Sequence, residues 1–134
     1  MRIDVLNGVN LNLLGRRDPG VYGNDSLQDL ETQIYAWARE LGLQVRCRQT
    51  NHEGEYVEFL HAALDGADAL VVNPGAWTHY SWAIRDALEP FPGPVVCPSS
   101  TLVRRHSSRP STSEMWTSTT GPENGSSASR IAQL

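Results

Sequence analysis

The chain has 134 residues, a formal net charge of −4 and a pI near 5.5, and all 11 of its basic residues are arginine. This length suits one domain with its own core, and the acidic balance argues against a nucleic-acid partner. The absence of lysine excludes a Schiff-base enzyme and a P-loop nucleotide site.

The cysteines and the first residues narrow the class of protein further. Cys47 and Cys97 are isolated in the sequence and fit neither a metal spacing nor a redox spacing. Because Met1 leads directly into a strand pattern, we expect no secretory or membrane-spanning stretch and a cytoplasmic location.

Strand and helix patterns alternate from the start of the chain to about residue 97. Apolar segments predict strands at residues 2–6, 43–49, 69–73 and 95–97. Helical spacing of apolar residues predicts helices at about 27–41, 55–64 and 78–88. Such alternation is typical of an α/β domain with a parallel sheet and helices on both faces.

Local signals set the ends of the first predicted helix. Asn24, Asp25 or Ser26 is expected to cap its beginning, and Gly42 to end it.

The loop after the first strand, residues 7–23, carries more polar side chains than a turn requires. Arg17 supplies a fixed positive charge and Tyr22 a phenol, and a nearby arginine can lower the pKa of a phenol enough to make it a usable base. For the loop taken alone, a solvated turn with a packing tyrosine is the favoured interpretation.

A second polar loop follows the apolar strand at 69–73 and begins Asn73-Pro74-Gly75. In parallel sheets, ligands bind outside the carboxyl ends of the strands. We therefore expect both loops, and the residues after Cys97, to converge on one site.

The two loops carry the signatures of a known family. Residues 7–17 read NGVNLNLLGRR and are followed by Tyr22-Gly23, which resembles the NGPNLNLLGxR…YG signature of type II 3-dehydroquinate dehydratases. Residues 73–88, NPGAWTHYSWAIRDAL, are similar to the NPGAYTHTSVAIRDAL of that family. Over residues 1 to about 96 the chain is identified as a member of this family.

The resemblance implies a flavodoxin-like, doubly wound parallel sheet and a hydro-lyase that converts 3-dehydroquinate to 3-dehydroshikimate in the shikimate pathway of aromatic amino-acid biosynthesis. It implies acid–base catalysis through an enolate, with neither cofactor nor metal. The implied partners are the small-molecule substrate and other copies of the chain in a homododecamer built from trimers, rather than nucleic acid or membrane.

The resemblance also assigns roles to single residues. Tyr22 would be the base, held as a phenolate by Arg17, and Asn10 would meet the enolate. The expected substrate-binding residues are Asn73, His79, Asp86 and Thr101. We expect His79 and Asp86 to share one face of the third helix. Taken singly, each of these residues also has a structural explanation, such as a cap or a solvated surface position.

The sequence changes character at Pro98. Residues 98–134 are rich in Ser, Thr, Pro and Gly without a sustained period, which predicts a disordered tail after an incomplete domain at residues 1–97. By ungapped counting, Ser99 stands where the family has its acid histidine, and His106 is the nearest histidine. The change resembles a shifted reading frame, and it implies that the last strand and helix of the family are missing and that residues 95–97 form an exposed edge.

The tail leaves an alternative open: an impaired or inactive remnant of the same family. Other classes share the architecture, including flavin carriers and receiver domains. A flavin site would place a Ser/Thr-rich phosphate loop after the first strand, and a receiver would need a lysine; the sequence has neither feature.

Overall fold

The computed structural model describes residues 1–97 in full and, beyond them, the backbone of a short strand at residues 102–104. Within this part of the chain the strands are β1 (Arg2–Asn7), β2 (Gln44–Gln49), β3 (Ala69–Asn73), β4 (Val95–Cys97) and β5 (Leu102–Arg104). The α-helices are α1 (Pro19–Tyr22), α2 (Leu27–Glu40), α3 (Glu53–Gly66) and α4 (Trp82–Leu88). Two short 3-10 helices span Leu11–Leu13 and Gly75–His79. None of the helices in the described residues is long and apolar enough to cross a membrane.

The strands form one sheet in the order β2-β1-β3-β4-β5. The first four strands are mutually parallel, which confirms the predicted sheet, and β5 pairs antiparallel with β4. At the carboxyl end of β1, Asn7 lies between Gln49 of β2 and Asn73 of β3. Three amide side chains therefore stand in a row at the edge where the site is expected.

Helices cover both faces of the sheet. On one face, Val5 and Val71 share a core cluster with Ile34 of α2. On the other, Leu6 shares a larger cluster with Leu60 of α3 and with residues of α4. Burial on both faces explains why β3 reads as a continuous apolar run, and it confirms the doubly wound arrangement.

The start of α2 is fixed by a reciprocal pair of hydrogen bonds. The Ser26 hydroxyl accepts from the Asp29 N–H at 3.1 Å, and the Asp29 carboxylate accepts from the Ser26 N–H at 2.9 Å. These bonds satisfy two backbone donors that a helix end leaves free. The Ser26 hydroxyl, which also donates to the Asp29 carboxylate at 2.6 Å, and the Ser26 N–H together hold the pKa of Asp29 below its ordinary value. Gly42 follows the helix with a φ of 65°, which fits its predicted role as the helix terminator.

The third helix, predicted at about 78–88, is wrong in its first turn. The 3-10 helix Gly75–His79 is followed by a new N-cap, where the Ser81 hydroxyl accepts from the Ile84 N–H at 3.1 Å. The α-helix therefore begins at Trp82, and His79 and Asp86 do not share a helix face. The break follows the turn that carries Trp77, which is buried to 6% exposure, and ends at the Ser81 cap.

The expectation of a bare sheet edge at β4 is also wrong. Residues 95, 96 and 97 pair with residues 104, 103 and 102 of β5. The predicted disorder of residues 98–134 concerns positions that, apart from this strand, lie outside the described residues.

Candidate active site

A cavity of about 630 Å³ lies at the carboxyl edge of the sheet, between the loop that follows β1 and the loop that follows β3. Its lining includes Asn10, Arg17 and Tyr22 from the first loop and Asn73 and His79 from the second. The convergence predicted for these two loops is therefore confirmed. In a sheet of this order, the cavity sits where the strand connections diverge to opposite sides.

The first loop brings a guanidinium onto a phenol ring. Asp18 caps the short helix α1, with its carboxylate accepting from the Gly20 N–H at 2.9 Å. Tyr22 ends this helix, and the Arg17 guanidinium carbon lies 3.8 Å from the centroid of its ring. Such a contact attracts a cation to the ring face and restricts both side chains. Tyr22 is 44% exposed, so its ring is open to a molecule that enters the cavity.

Asn10 has an unusual backbone conformation. Its φ of 65° is left-handed, and no other non-glycine residue in the described part of the chain has a positive φ. This conformation costs about 1–2 kcal/mol for most residues and less for Asn. The Asn10 side chain makes no capping bond to the 3-10 helix that follows. Its amide is consequently available to the cavity that it lines.

The two cavity loops interlock through their backbones. The Gly8 N–H donates to the Asn73 carbonyl at 2.8 Å, and a Cβ at position 8 would overlap the Pro74 carbonyl. A Cβ at Gly75, where φ is 66°, would lie 2.8 Å from the Val9 carbonyl oxygen. Only glycine fits at these two positions without a shift in the opposite loop.

A buried amide lies beneath this contact. Asn7 is 4% exposed, and its side-chain nitrogen has no hydrogen-bond partner among the described residues. The side-chain oxygen of the neighbouring Asn73 accepts from the Gly75 N–H at 3.4 Å. A buried donor without a partner is uncommon, and it leaves a polar group available next to the cavity loops.

One expected site residue does not line this cavity, and another lies outside the described residues. Asp86 is exposed on α4 and does not line the cavity, so its proposed contact with substrate stays a prediction. Thr101 lies outside the described residues, as do Ser99 and His106. Within residues 1–97, no group of three or more His, Cys, Asp or Glu side chains is placed to hold a metal ion.

The sequence interpretation missed several residues near the cavity. Asp25, Ser26 and Leu30 line it from the start of α2, where the sequence suggested only a helix cap. Asn51 contacts Asn10 from the loop after β2, where the sequence suggested only a connection. The position of Asn51 in the chain could have indicated that it lies near the cavity, because the loop after β2 also emerges at the carboxyl edge of the sheet.

The strand order and the position of the cavity define a flavodoxin-like α/β protein with a ligand site at the junction of β1 and β3. The chain belongs to the class II dehydroquinase family, whose model matches residues 1–119. This match extends past residue 96, where the resemblance was expected to stop.

Individual relatives agree with the family match. The chain is 54% identical over 96 residues to a 3-dehydroquinate dehydratase of Pelobacter propionicus, covering 71% of this chain and 64% of the relative. It is 55% identical over 93 residues to one of Thermus thermophilus, covering 69% of this chain and 62% of the relative. The crystal structure of a type II dehydroquinase from Propionibacterium acnes superposes with a TM-score of 0.69 at 44% identity, over 72% of this chain and 66% of that one. The chain therefore spans slightly less than two thirds of the length of these two curated relatives.

Proposed function

We propose that this chain is a hydro-lyase that eliminates water from 3-dehydroquinate to give 3-dehydroshikimate, as the names of its relatives suggest. The observation that carries the proposal is the Arg17 guanidinium 3.8 Å from the Tyr22 ring centroid, in a cavity shared with Asn10. A base beside a fixed positive charge, facing a neutral hydrogen-bond donor, is what proton abstraction next to a ketone requires.

In the proposed mechanism, the Tyr22 phenolate removes the proton alpha to the substrate ketone. The Arg17 guanidinium lies against the face of this ring and restricts the orientation of the phenol. The electrons of the broken C–H bond form an enolate, whose oxygen receives a hydrogen bond from the Asn10 amide, directly or through a water molecule. Collapse of the enolate then breaks the C–O bond at the beta carbon, and the hydroxyl leaves with a proton as water.

The remaining cavity residues would bind and orient the substrate. Asn73 and His79 line the wall opposite the first loop and offer donors and acceptors to hydroxyl and carboxylate groups. Asp86 is exposed and outside the cavity of its own chain, so it would reach a substrate only from another copy. Such a contribution requires an oligomer, and the homododecamer expected from the family stays a prediction, with a mass of about 178 kDa for twelve copies of 14.8 kDa. The cytoplasmic location likewise remains a prediction from the sequence.

The alternative of an impaired remnant rested on the tail. The family match through residue 119 favours an active enzyme, because it includes positions beyond the expected end of the resemblance. The proton donor for the leaving hydroxyl is not assigned, because the family's acid falls at Ser99 by ungapped counting, outside the described residues.

The test is turnover of 3-dehydroquinate, followed by the absorbance of the enone product. The purified chain is compared with a chimera that keeps residues 1–97 and carries the C-terminal segment of the Pelobacter relative. An active enzyme gives the purified chain a rate comparable to that of the chimera. Turnover by the chimera alone would establish the remnant instead, and turnover by neither would refute the proposed substrate.

A further inference from the structure

The turn that carries Asn10 is held by two side chains that the proposed chemistry does not use. The Asn10 main-chain N–H donates to the Asn51 side-chain oxygen at 2.8 Å, and the same oxygen accepts from Gln49 Nε2 at 3.1 Å. Gln49 Nε2 also donates to the Gly8 carbonyl at 3.2 Å. The end of β2 and its following loop are thus bonded to both ends of the turn at residues 8–10.

These bonds act on the residue whose backbone needs support. Asn10 has a φ of 65° and a ψ of 1°, a conformation that costs Asn less than most residues but that it shares with more favourable conformations unless its surroundings hold it there. A return of φ to negative values would redirect the side chain relative to the cavity that it lines. The accepting oxygen of Asn51 opposes rotation of the peptide plane between residues 9 and 10, which would change φ of Asn10 and turn its N–H away.

The opposite side of the same turn is limited by backbone contacts. Gly75 approaches the Val9 carbonyl so closely that a Cβ would lie 2.8 Å from its oxygen. The turn is therefore confined between the loop after β3 and the side chains that follow β2. Loss of the hydrogen bonds from Gln49 and Asn51 would leave the turn free to move away from the loop after β3.

We propose that Asn51 and Gln49 are positioning residues, which hold Asn10 in its left-handed conformation and keep its amide in the cavity. The catalytic consequence rests on the proposed function, whereas the conformational part rests on the hydrogen bonds alone. Asn51 itself is exposed, so its loss leaves no cavity in the core. A purely structural role would lower stability and leave kcat unchanged.

The experiment compares Asn51→Ala, Asn51→Asp and the control His52→Ala with the parent chain. Aspartate keeps an oxygen that accepts both hydrogen bonds, whereas alanine removes it. His52 is an exposed neighbour that makes no side-chain capping bond, and its main-chain N–H bond to Thr50 survives the substitution. Hydrogen–deuterium exchange of the peptide covering residues 8–13 reports the turn, and kcat and KM for 3-dehydroquinate report its effect on catalysis.

For Asn51→Ala we expect exchange at Asn10 to accelerate at least about tenfold. We also expect kcat to fall by about 10- to 100-fold, with KM within about threefold of the parent. Asn51→Asp and His52→Ala should match the parent in both readouts. Gln49→Leu, which lacks the donors to Asn51 and Gly8, should behave as Asn51→Ala does.

Unchanged exchange in Asn51→Ala would overturn the inference, and so would faster exchange with a parental kcat. A parent chain that turns over no substrate would refute the proposed function but not this inference. In that case the exchange of the 8–13 peptide decides the inference: acceleration in Asn51→Ala but not in Asn51→Asp or His52→Ala supports it, and parental exchange in Asn51→Ala overturns it.

Discussion

Gly75 contributes both to the stability of the fold and to the geometry of the site. The destabilisation expected for Gly75→Ala divides into a backbone contribution and a steric contribution. A side chain at a φ of 66° costs about 1 kcal/mol or somewhat more. The new Cβ would also lie 2.8 Å from the Val9 carbonyl oxygen, inside normal contact, and relief of such overpacking costs about 1–3 kcal/mol. We expect Gly75→Ala to lower the free energy of unfolding by about 2–4 kcal/mol.

Two other glycines separate these contributions. Gly42 has nearly the same φ of 65°, but nothing lies within 4 Å of the position that a Cβ would take, so Gly42→Ala should cost only about 1 kcal/mol. Gly54, in the first turn of α3, has neither a positive φ nor a close neighbour, and Gly54→Ala should stabilise by up to about 1 kcal/mol. Urea unfolding at one fixed chain concentration measures all three variants, since assembly would make the midpoint depend on concentration.

Gly75→Ala should also affect turnover, because the carbonyl that its Cβ would displace belongs to Val9, the residue before Asn10. Gly75→Ala is expected to lower kcat, whereas Gly42→Ala, far along the chain at the end of α2, is not. Surface changes without structural effect usually alter the free energy of unfolding by no more than about 0.5 kcal/mol. If the free energies of unfolding of Gly75→Ala and Gly42→Ala differ by less than that, the loops after β1 and β3 are not in close contact.

Three further predictions follow from single contacts. Arg17→Met, which keeps a long side chain but removes the cation over the Tyr22 ring, should lower kcat by about 10- to 100-fold at neutral pH, and a parental kcat would exclude an electrostatic role for Arg17. Burial raises the pKa of the Cys47 thiol to about 11, so alkylation of this thiol by iodoacetamide at pH 8.5 should be roughly 50- to 100-fold slower than that of an ordinary thiol. The contribution of the protonated thiol to stability, full below about pH 9, should disappear as the pH rises through about 11. Rapid alkylation of Cys47 in the folded chain would contradict this. Mixtures of inactive Tyr22→Phe and Asp86→Ala chains, reassembled together, should regain part of the parental activity if Asp86 serves a neighbouring cavity, and no recovery would show that Asp86 acts in the cavity of its own chain.

The strands and the loops that follow them were predictable because local sequence determines them. The apolar run of β3 indicates burial on both faces, and glycines and asparagines mark the turns at the carboxyl edge. The family signatures then brought Asn10, Arg17 and Tyr22 into one candidate site, and all three line the cavity.

The features that the sequence did not reveal depend on contacts between distant residues. The hydrogen bond from the Asn10 N–H to Asn51 joins residues 41 positions apart, and the sequence around neither residue predicts it. The break before α4 lies between the buried Trp77 and the cap at Ser81, and helical periodicity alone does not distinguish it from a continuous helix. The pairing of β5 with β4 is equally a tertiary contact, since residues 102–104 have no strong strand pattern of their own.

The central claim is that Tyr22 acts as the base in the dehydration of 3-dehydroquinate, and the most direct measurement is kcat for Tyr22→Phe. The matched control is Tyr80→Phe, because Tyr80 is 64% exposed and does not line the cavity. Phenylalanine keeps the ring against Arg17 and removes only the oxygen that accepts the proton. We expect kcat to fall by about 10²- to 10⁴-fold in Tyr22→Phe, with folding intact, and to stay at the parental value in Tyr80→Phe. A Tyr22→Phe variant that turns over at the parental rate would contradict the claim.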